Sequence, residues 1–307
     1  MEEFYFDSKD GKTKIRALKW TPDSEIKAVL QISHGMLEHM ERYDEFASYM
    51  ADNGVLVVGN DHLGHGSSIN SEEDRGYFSE TEGYHVLIED MYRLMEITKK
   101  ENKNVPYFLL GHSMGSFLTR YFITAYGSKI NGVIVMGTGH QANVIIKFGL
   151  LLTKCMAALK GWNYRSKYVN HLVLGANNKK FKPARTTCDW LTRDDEIVDK
   201  YLADKRINFI FTLNGFYNLF KVMYDMNNKR RLVKISADLP VLFISGKNDP
   251  VGNLGKGVRK SYDMYKAVGL KNISIKLYNE DRHEILNELD RKQVYKDIMT
   301  WINNVHY

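Results

Sequence analysis

Val105-Pro106-Tyr107-Phe108-Leu109-Leu110-Gly111-His112-Ser113-Met114-Gly115-Ser116-Phe117-Leu118-Thr119-Arg120-Tyr121-Phe122 is the stretch whose reading decides the fold. Its first third is a continuous apolar run, as expected of a strand buried on both faces. Its last third carries neither Gly nor Pro and is compatible with a helix. Between them lies a G-x-S-x-G pentapeptide. A sharp strand-to-helix turn leaves no room for a Cβ two residues either side of its centre, and Gly111 and Gly115 meet that need. The same turn holds the central serine in a strained conformation, its hydroxyl projecting from the end of the sheet. Ser113 is therefore a candidate nucleophile. Standing alone, the pentapeptide is equally an ordinary strand-to-helix turn.

On either side the chain alternates strand and helix. Strands are expected over 28–33, 55–58, 105–110, 132–136, 240–245 and 273–277, and helices over 40–53, 81–101, 256–268 and 288–303. Such alternation implies an α/β fold: a mostly parallel sheet with helices on both faces. The opening reads as an antiparallel hairpin, 3–6 and 14–20, around the turn Ser8-Lys9-Asp10-Gly11. The rhythm breaks between 140 and 235, where the sequence looks helical and shows no buried strand. Residues 1–139 and 236–307 are thus the expected core, and 140–235 a helical cap insertion.

A chain of 307 residues is long enough for a large buried core. Its 44% hydrophobic and 26% charged content is that of an ordinary globular protein. Lys and Arg exceed Asp and Glu by 43 to 37, with the surplus spread along the chain. Nucleic-acid binding needs a concentrated basic stripe or a recognisable module, and neither is present. Cys155 and Cys188 make no disulfide framework and fit a reducing compartment. Met1–Asp7 lacks a basic region and an apolar stretch, so no secretory leader is expected there. The most apolar segment, 144–159, is interrupted by Lys147 and Lys154 and falls short of the roughly 20 residues that span a bilayer. A cytoplasmic location is expected.

A serine hydroxyl needs a base to take its proton, and the base needs an orienting partner. Loops after the strands of an open α/β sheet cluster at one face. The strand at 240–245 is followed by Gly246-Lys247-Asn248-Asp249-Pro250, and that at 273–277 by Tyr278-Asn279-Glu280-Asp281-Arg282-His283-Glu284. Ser113, Asp249 and His283 then form a candidate triad: nucleophile, orienting acid and general base. Asp238 precedes its strand and lies at the wrong end. Asp281 is expected to be a solvated loop charge. His140 follows an earlier strand and is expected to line the pocket, and His112 to pack within the elbow.

Three segments carry a family resemblance. His34-Gly35-Met36-Leu37-Glu38-His39-Met40-Glu41-Arg42-Tyr43 is similar to an H-G-x-x-E-H-x-x-R-Y motif. Asp61-His62-Leu63-Gly64-His65-Gly66-Ser67-Ser68 is similar to D-x-x-G-H-G-x-S, and Gly111–Gly115 is the matching elbow. With the chain order Ser, Asp, His, the chain resembles the α/β-hydrolase superfamily and, within it, the monoacylglycerol lipase / lysophospholipase-like group. The resemblance implies an α/β-hydrolase fold and a serine carboxylester hydrolase that cleaves single-acyl-chain lipid esters through an acyl-enzyme on Ser113, without a cofactor. It also implies an oxyanion hole from the Met114 N–H after the nucleophile and the Met36 N–H, with Gly35 allowing close approach. A small-molecule lipid ester is the expected partner.

The insertion has its own pattern. Val144, Ile145, Phe148, Leu151, Leu152, Cys155, Met156 and Leu159 recur at helical spacing. Packing on the core is the default for such a stripe. Phe148 and Leu152 are candidates to line an acyl channel, and transient contact with a membrane surface is the remaining role. His34, His39, His62 and His65 match no zinc-ligand spacing, so no metal is expected. Glu38 and Asp61 are expected to order their loops by accepting backbone N–H bonds. The alternatives are a short-chain carboxylesterase, an aminopeptidase-like amide hydrolase using Asp194-Asp195-Glu196 to hold an amine, and a ligand-binding protein on the same scaffold. A dehalogenase would carry Asp rather than Ser in the elbow.

Overall fold

The structure is a computed structural model that describes residues 1–81 and 83–306. Eight strands form one sheet in the order β1-β2-β4-β3-β5-β6-β7-β8. They are β1 (Glu2–Asp7), β2 (Lys14–Trp20), β3 (Ala28–Ser33), β4 (Val55–Asn60), β5 (Tyr107–His112), β6 (Gly132–Met136), β7 (Val241–Gly246) and β8 (Ile273–Tyr278). β1 pairs antiparallel with β2, and β2 with β4; from β4 onward every pairing is parallel.

Side chains alternate between the two faces of each strand, so β5 feeds two cores. Tyr107 and Leu109 join one, and Phe108 and Leu110 the other. The first face is covered by α2 (Gly83–Glu101), α3 (Met114–Tyr126) and α9 (Lys256–Ala267). The second is covered by α1 (Asp44–Asp52) and α10 (Arg291–His306). The segment expected as one helix over 40–53 is a 3-10 turn, Met40–Tyr43, followed by α1. The helix expected over 81–101 begins at Gly83, and Glu82 lies outside the described residues. The last helix starts at Arg291 rather than 288. Glu288 is extended, and its side chain accepts the backbone N–H of Arg282 instead of starting a helical turn.

Between β6 and β7 run α4 (Asn143–Lys160), α5 (Lys167–Leu174), α6 (Asp195–Ala203), α7 (Leu213–Asp225) and the short α8 (Lys229–Leu232). α7 lies against α4, α2 and α3. Asn214 and Asn218 on α7 accept the backbone N–H groups of Phe78 and Tyr84, which ties it to the sheet-covering layer. α4 comes close to α7 because Gly149 has no Cβ; one there would sit 2.9 Å from the Phe220 ring. Among the described residues, no helix is long and apolar enough to cross a membrane.

Candidate active site

The elbow meets the steric demands of its turn. Ser113 stands between β5 and α3 with φ 52° and ψ −117°, a backbone region costly for a residue with a Cβ. A Cβ on Gly111 would lie 2.3 Å from Thr119 Oγ1, and one on Gly115 2.0 Å from the Ser33 carbonyl oxygen. The Ser113 N–H is bonded to the Met136 carbonyl on β6 at 3.1 Å, which holds the turn at the ends of the parallel strands.

Asp249 follows β7 and is fully buried. Its Oδ1 accepts the Val251 N–H at 2.8 Å and lies 2.9 Å from His283 Nδ1; its Oδ2 accepts from Ser245 Oγ at 3.1 Å. His283 follows β8, with Trp190 from the insertion over its ring at 5.0 Å between centroids. The His283 and Glu284 N–H groups are bonded to the Trp190 and Leu191 carbonyls. No sequence motif marks Trp190; only the folded chain brings it to His283. Cys155 and Cys188 are both free.

The loop after β3 packs directly on the elbow. A Cβ on Gly35 would stand 3.0 Å from Ser113 Cβ. Glu38 fixes this loop from behind. Its Oε1 accepts from the Gly35 N–H, from Tyr43 Oη at 3.1 Å and from His112 Nδ1 at 2.9 Å, while Oε2 accepts from Arg42 at 3.1 Å. Arg42 in turn grips Glu284, the neighbour of His283, through two bonds of 2.8 and 2.6 Å. His112 is thus a hydrogen-bonded member of this hub as well as a packing residue, with its ring 4.8 Å from that of His283. Burial alone pushes the His112 imidazole down. The Glu38 charge and hydrogen bond outweigh it and hold His112 above the ordinary histidine value. Burial opposes ionisation of Glu38 too, but His112 and Arg42 hold its carboxyl well below the usual range.

The neighbouring histidines behave differently. The rings of His34 and His62 are 4.3 Å apart, and burial pushes His62 to about 4 and His65 to about 3. Asp61 orders the loop beside them by accepting the Met40 and Ser67 N–H groups at 2.8 and 3.0 Å. Asp281, expected to be solvated, is fully buried, because Arg193 of the insertion reaches down and pairs with it at 2.8 Å.

Ser113 and His283 open into a cavity of about 1270 Å³. Met36 and Met114 line its floor, Phe148 and Leu152 on α4 its wall, and Leu219, Phe220 and Met223 on α7 continue that wall. Gly139 and Gln141 line it, whereas His140 between them and Gly35 before Met36, both expected at the substrate, do not; Gly35 packs on Ser113 instead. Phe209 also faces the cavity, whereas Phe211 and Phe216 are buried in the core.

Residues 24–290 match the model of the Hydrolase_4 family, described as serine aminopeptidase, S33. A monoglyceride lipase homolog of Monkeypox virus is 28% identical over 287 residues, covering 93% of this chain and 92% of the relative. The monoglyceride lipase of Homo sapiens is 27% identical over 286 residues, covering 92% and 85%. A thermostable carboxyl esterase from Bacillus coagulans, solved with glycerol, superposes with a TM-score of 0.93 at 27% identity, covering 100% of this chain and 99% of the other. The chain is an ester hydrolase that belongs to the Hydrolase_4 family of the α/β-hydrolases, in its monoglyceride-lipase-like group.

Proposed function

We propose that Ser113, His283 and Asp249 act as a catalytic triad that cleaves esters of a single fatty acyl chain, of the monoacylglycerol or lysophospholipid kind. The observation that carries this reading is the buried Asp249–His283 hydrogen bond, opening with the strained Ser113 into one apolar-walled cavity. His283 takes the Ser113 proton as Oγ attacks the ester carbon, then gives it to the departing alcohol. Asp249 keeps the imidazole in one tautomer and stabilises its cation. Water, activated by the same histidine, releases the fatty acid. The Met36 and Met114 N–H groups are the proposed oxyanion donors, and losing one such donor costs about 10²–10³ in rate.

The substrate class follows from the wall. A cavity of about 1270 Å³ exceeds the roughly 300–1,000 Å³ of ordinary ligand pockets and has room for a long chain. Its carboxylates are Glu38 and Glu284, both taken up by Arg42 and, for Glu38, by His112. Asp194 caps α6 and pairs with Arg291. No free acid among the described lining residues awaits a substrate amine, which favours esters over N-terminal amides despite the family's aminopeptidase description. The relatives named monoglyceride lipases support the same choice.

The 140–235 insertion is the proposed cap, and α4 the element that meets a lipid surface. Val144, Ile145, Phe148, Leu151 and Leu159 on α4 are each more than half exposed, interleaved with Lys147, Lys154 and Lys160. Such a face suits an anionic interface.

Labelling with a fluorophosphonate probe tests the triad. The parent chain is expected to label at Ser113 and Ser113→Ala to lose all labelling. Persistent labelling of the variant overturns the assignment.

A further inference from the structure

Outside the cavity, one cluster of side chains has no role in ester cleavage. Asp281, Glu288 and Asp290 bracket the loop that carries His283, and one carboxylate oxygen from each lies within 4.8 Å of the others. Oxygens on opposite sides of a Ca²⁺ ion are separated by about 4.6–5.2 Å, twice the metal–oxygen distance. Asp281 and Glu288 are fully buried, and Asp290 is exposed and opens the cluster to solvent.

The charges do not balance. Arg193 is the cation on these carboxylates among the described residues: Nη2 reaches Asp281 Oδ1 at 2.8 Å and Asp290 Oδ1 at 2.6 Å, and Nε reaches Glu288 Oε2 at 2.9 Å. The neighbouring guanidiniums face elsewhere. Arg282 donates to the Asp189 and Thr192 carbonyls; Arg291 pairs with Glu45 and Asp194 and donates to the Glu288 carbonyl. Three carboxylates therefore share one guanidinium.

A second observation points to a ligand. Asp281 Oδ2 is buried and has no hydrogen-bond partner. An Asp290 carboxylate oxygen lies within 4.8 Å of one from Asp281. Arg193 Nη2 lies between Asp281 Oδ1 and Asp290 Oδ1 but leaves Asp281 Oδ2 without a partner. A buried carboxylate oxygen with no partner is costly.

We propose that Asp281, Glu288 and Asp290 form a divalent-cation site, of the all-oxygen kind that takes Ca²⁺, which fastens the His283 loop to the start of α10. One divalent ion closes the charge balance left by Arg193. Carboxylates with water on the open side are ordinary ligands for such an ion.

The test uses chelator-treated full-length protein at about pH 8, titrated with CaCl₂ against NaCl of equal ionic strength. Calorimetry is expected to show one saturable site per chain. Tm is expected to rise by about 5 °C at a hundredfold excess over the dissociation constant. Asp290→Asn, which removes one charge and stays folded, is expected to weaken Ca²⁺ binding more than tenfold and to abolish the Tm rise. Absence of any Ca²⁺ or Mg²⁺ response in the parent overturns the proposal. An undiminished Ca²⁺ response in Asp290→Asn overturns it as well. Neither readout depends on Ser113 chemistry, so the site and the triad stand or fall separately.

Discussion

Ser113 and Asp249 are more than a hundred positions apart and His283 lies 34 beyond Asp249, yet each member of the proposed triad stands just past a strand. Strand ends are where an open parallel sheet gathers its loops. Glu38, His112 and Trp190 were not legible in their contacts. Glu38 and His112 are 74 positions apart, and nothing local to either announces the bond between them. Asp281 was misread for a related reason: the arginine that covers it comes from the insertion, 88 positions earlier. The Glu38 hub carries its own prediction. Buried Glu38 and Glu284 face Arg42 and buried His112, whose imidazole the Glu38 charge holds above its ordinary value. Glu38→Gln leaves Arg42 and His112 short of one negative charge, and breaking such a buried set costs about 3 kcal/mol or more. The urea midpoint of the variant is expected to fall accordingly. The raised value of His112 adds stability that is complete below the unfolded histidine value and lost as pH rises through the folded one. Parent midpoints measured from about pH 6 to 9 should show this alkaline loss, and Glu38→Gln should show less of it. Equal midpoints and equal slopes would contradict the hub.

At the scale of elements, the sheet was read almost strand for strand, because parallel strands buried on both faces leave long apolar runs. Helix starts were read less well. The expected start of α10 at 288 failed because Glu288 serves the His283 loop. The stripe on α4 shows a deeper limit. Periodicity finds an apolar face without saying what covers it. Here Gly149, Thr153 and Ala157 are buried, with Gly149 against α7, while Val144, Leu151 and Leu159 are left exposed. Small side chains allow the close helix contact, so the large ones are free for another surface. Leu151→Ser with Leu159→Ser, both outside the cavity wall, is expected to weaken binding to vesicles containing anionic lipid by about tenfold or more. Co-sedimentation measures this. Unchanged binding would remove α4 from the interface.

For the whole molecule, the parallel pairing brings the ends of β3, β5, β7 and β8 to one side, and residues from the chain between β6 and β7 line the cavity there. In the proposed reading the core sets the reaction type and the cavity wall sets what is hydrolysed. That division matches a sequence more legible in its chemistry than in its substrate: the proposed triad residues sit on a regular frame, whereas the wall is assembled from α4, α7 and irregular chain between them. The most direct measurement is kcat/KM for one enzyme preparation across p-nitrophenyl esters of increasing acyl length, a monoacylglycerol, a lysophospholipid and an aminoacyl anilide. The account predicts efficiency that rises with acyl length, substantial turnover of a single-chain lipid ester and negligible turnover of the anilide. A preference for the anilide over every ester would contradict it.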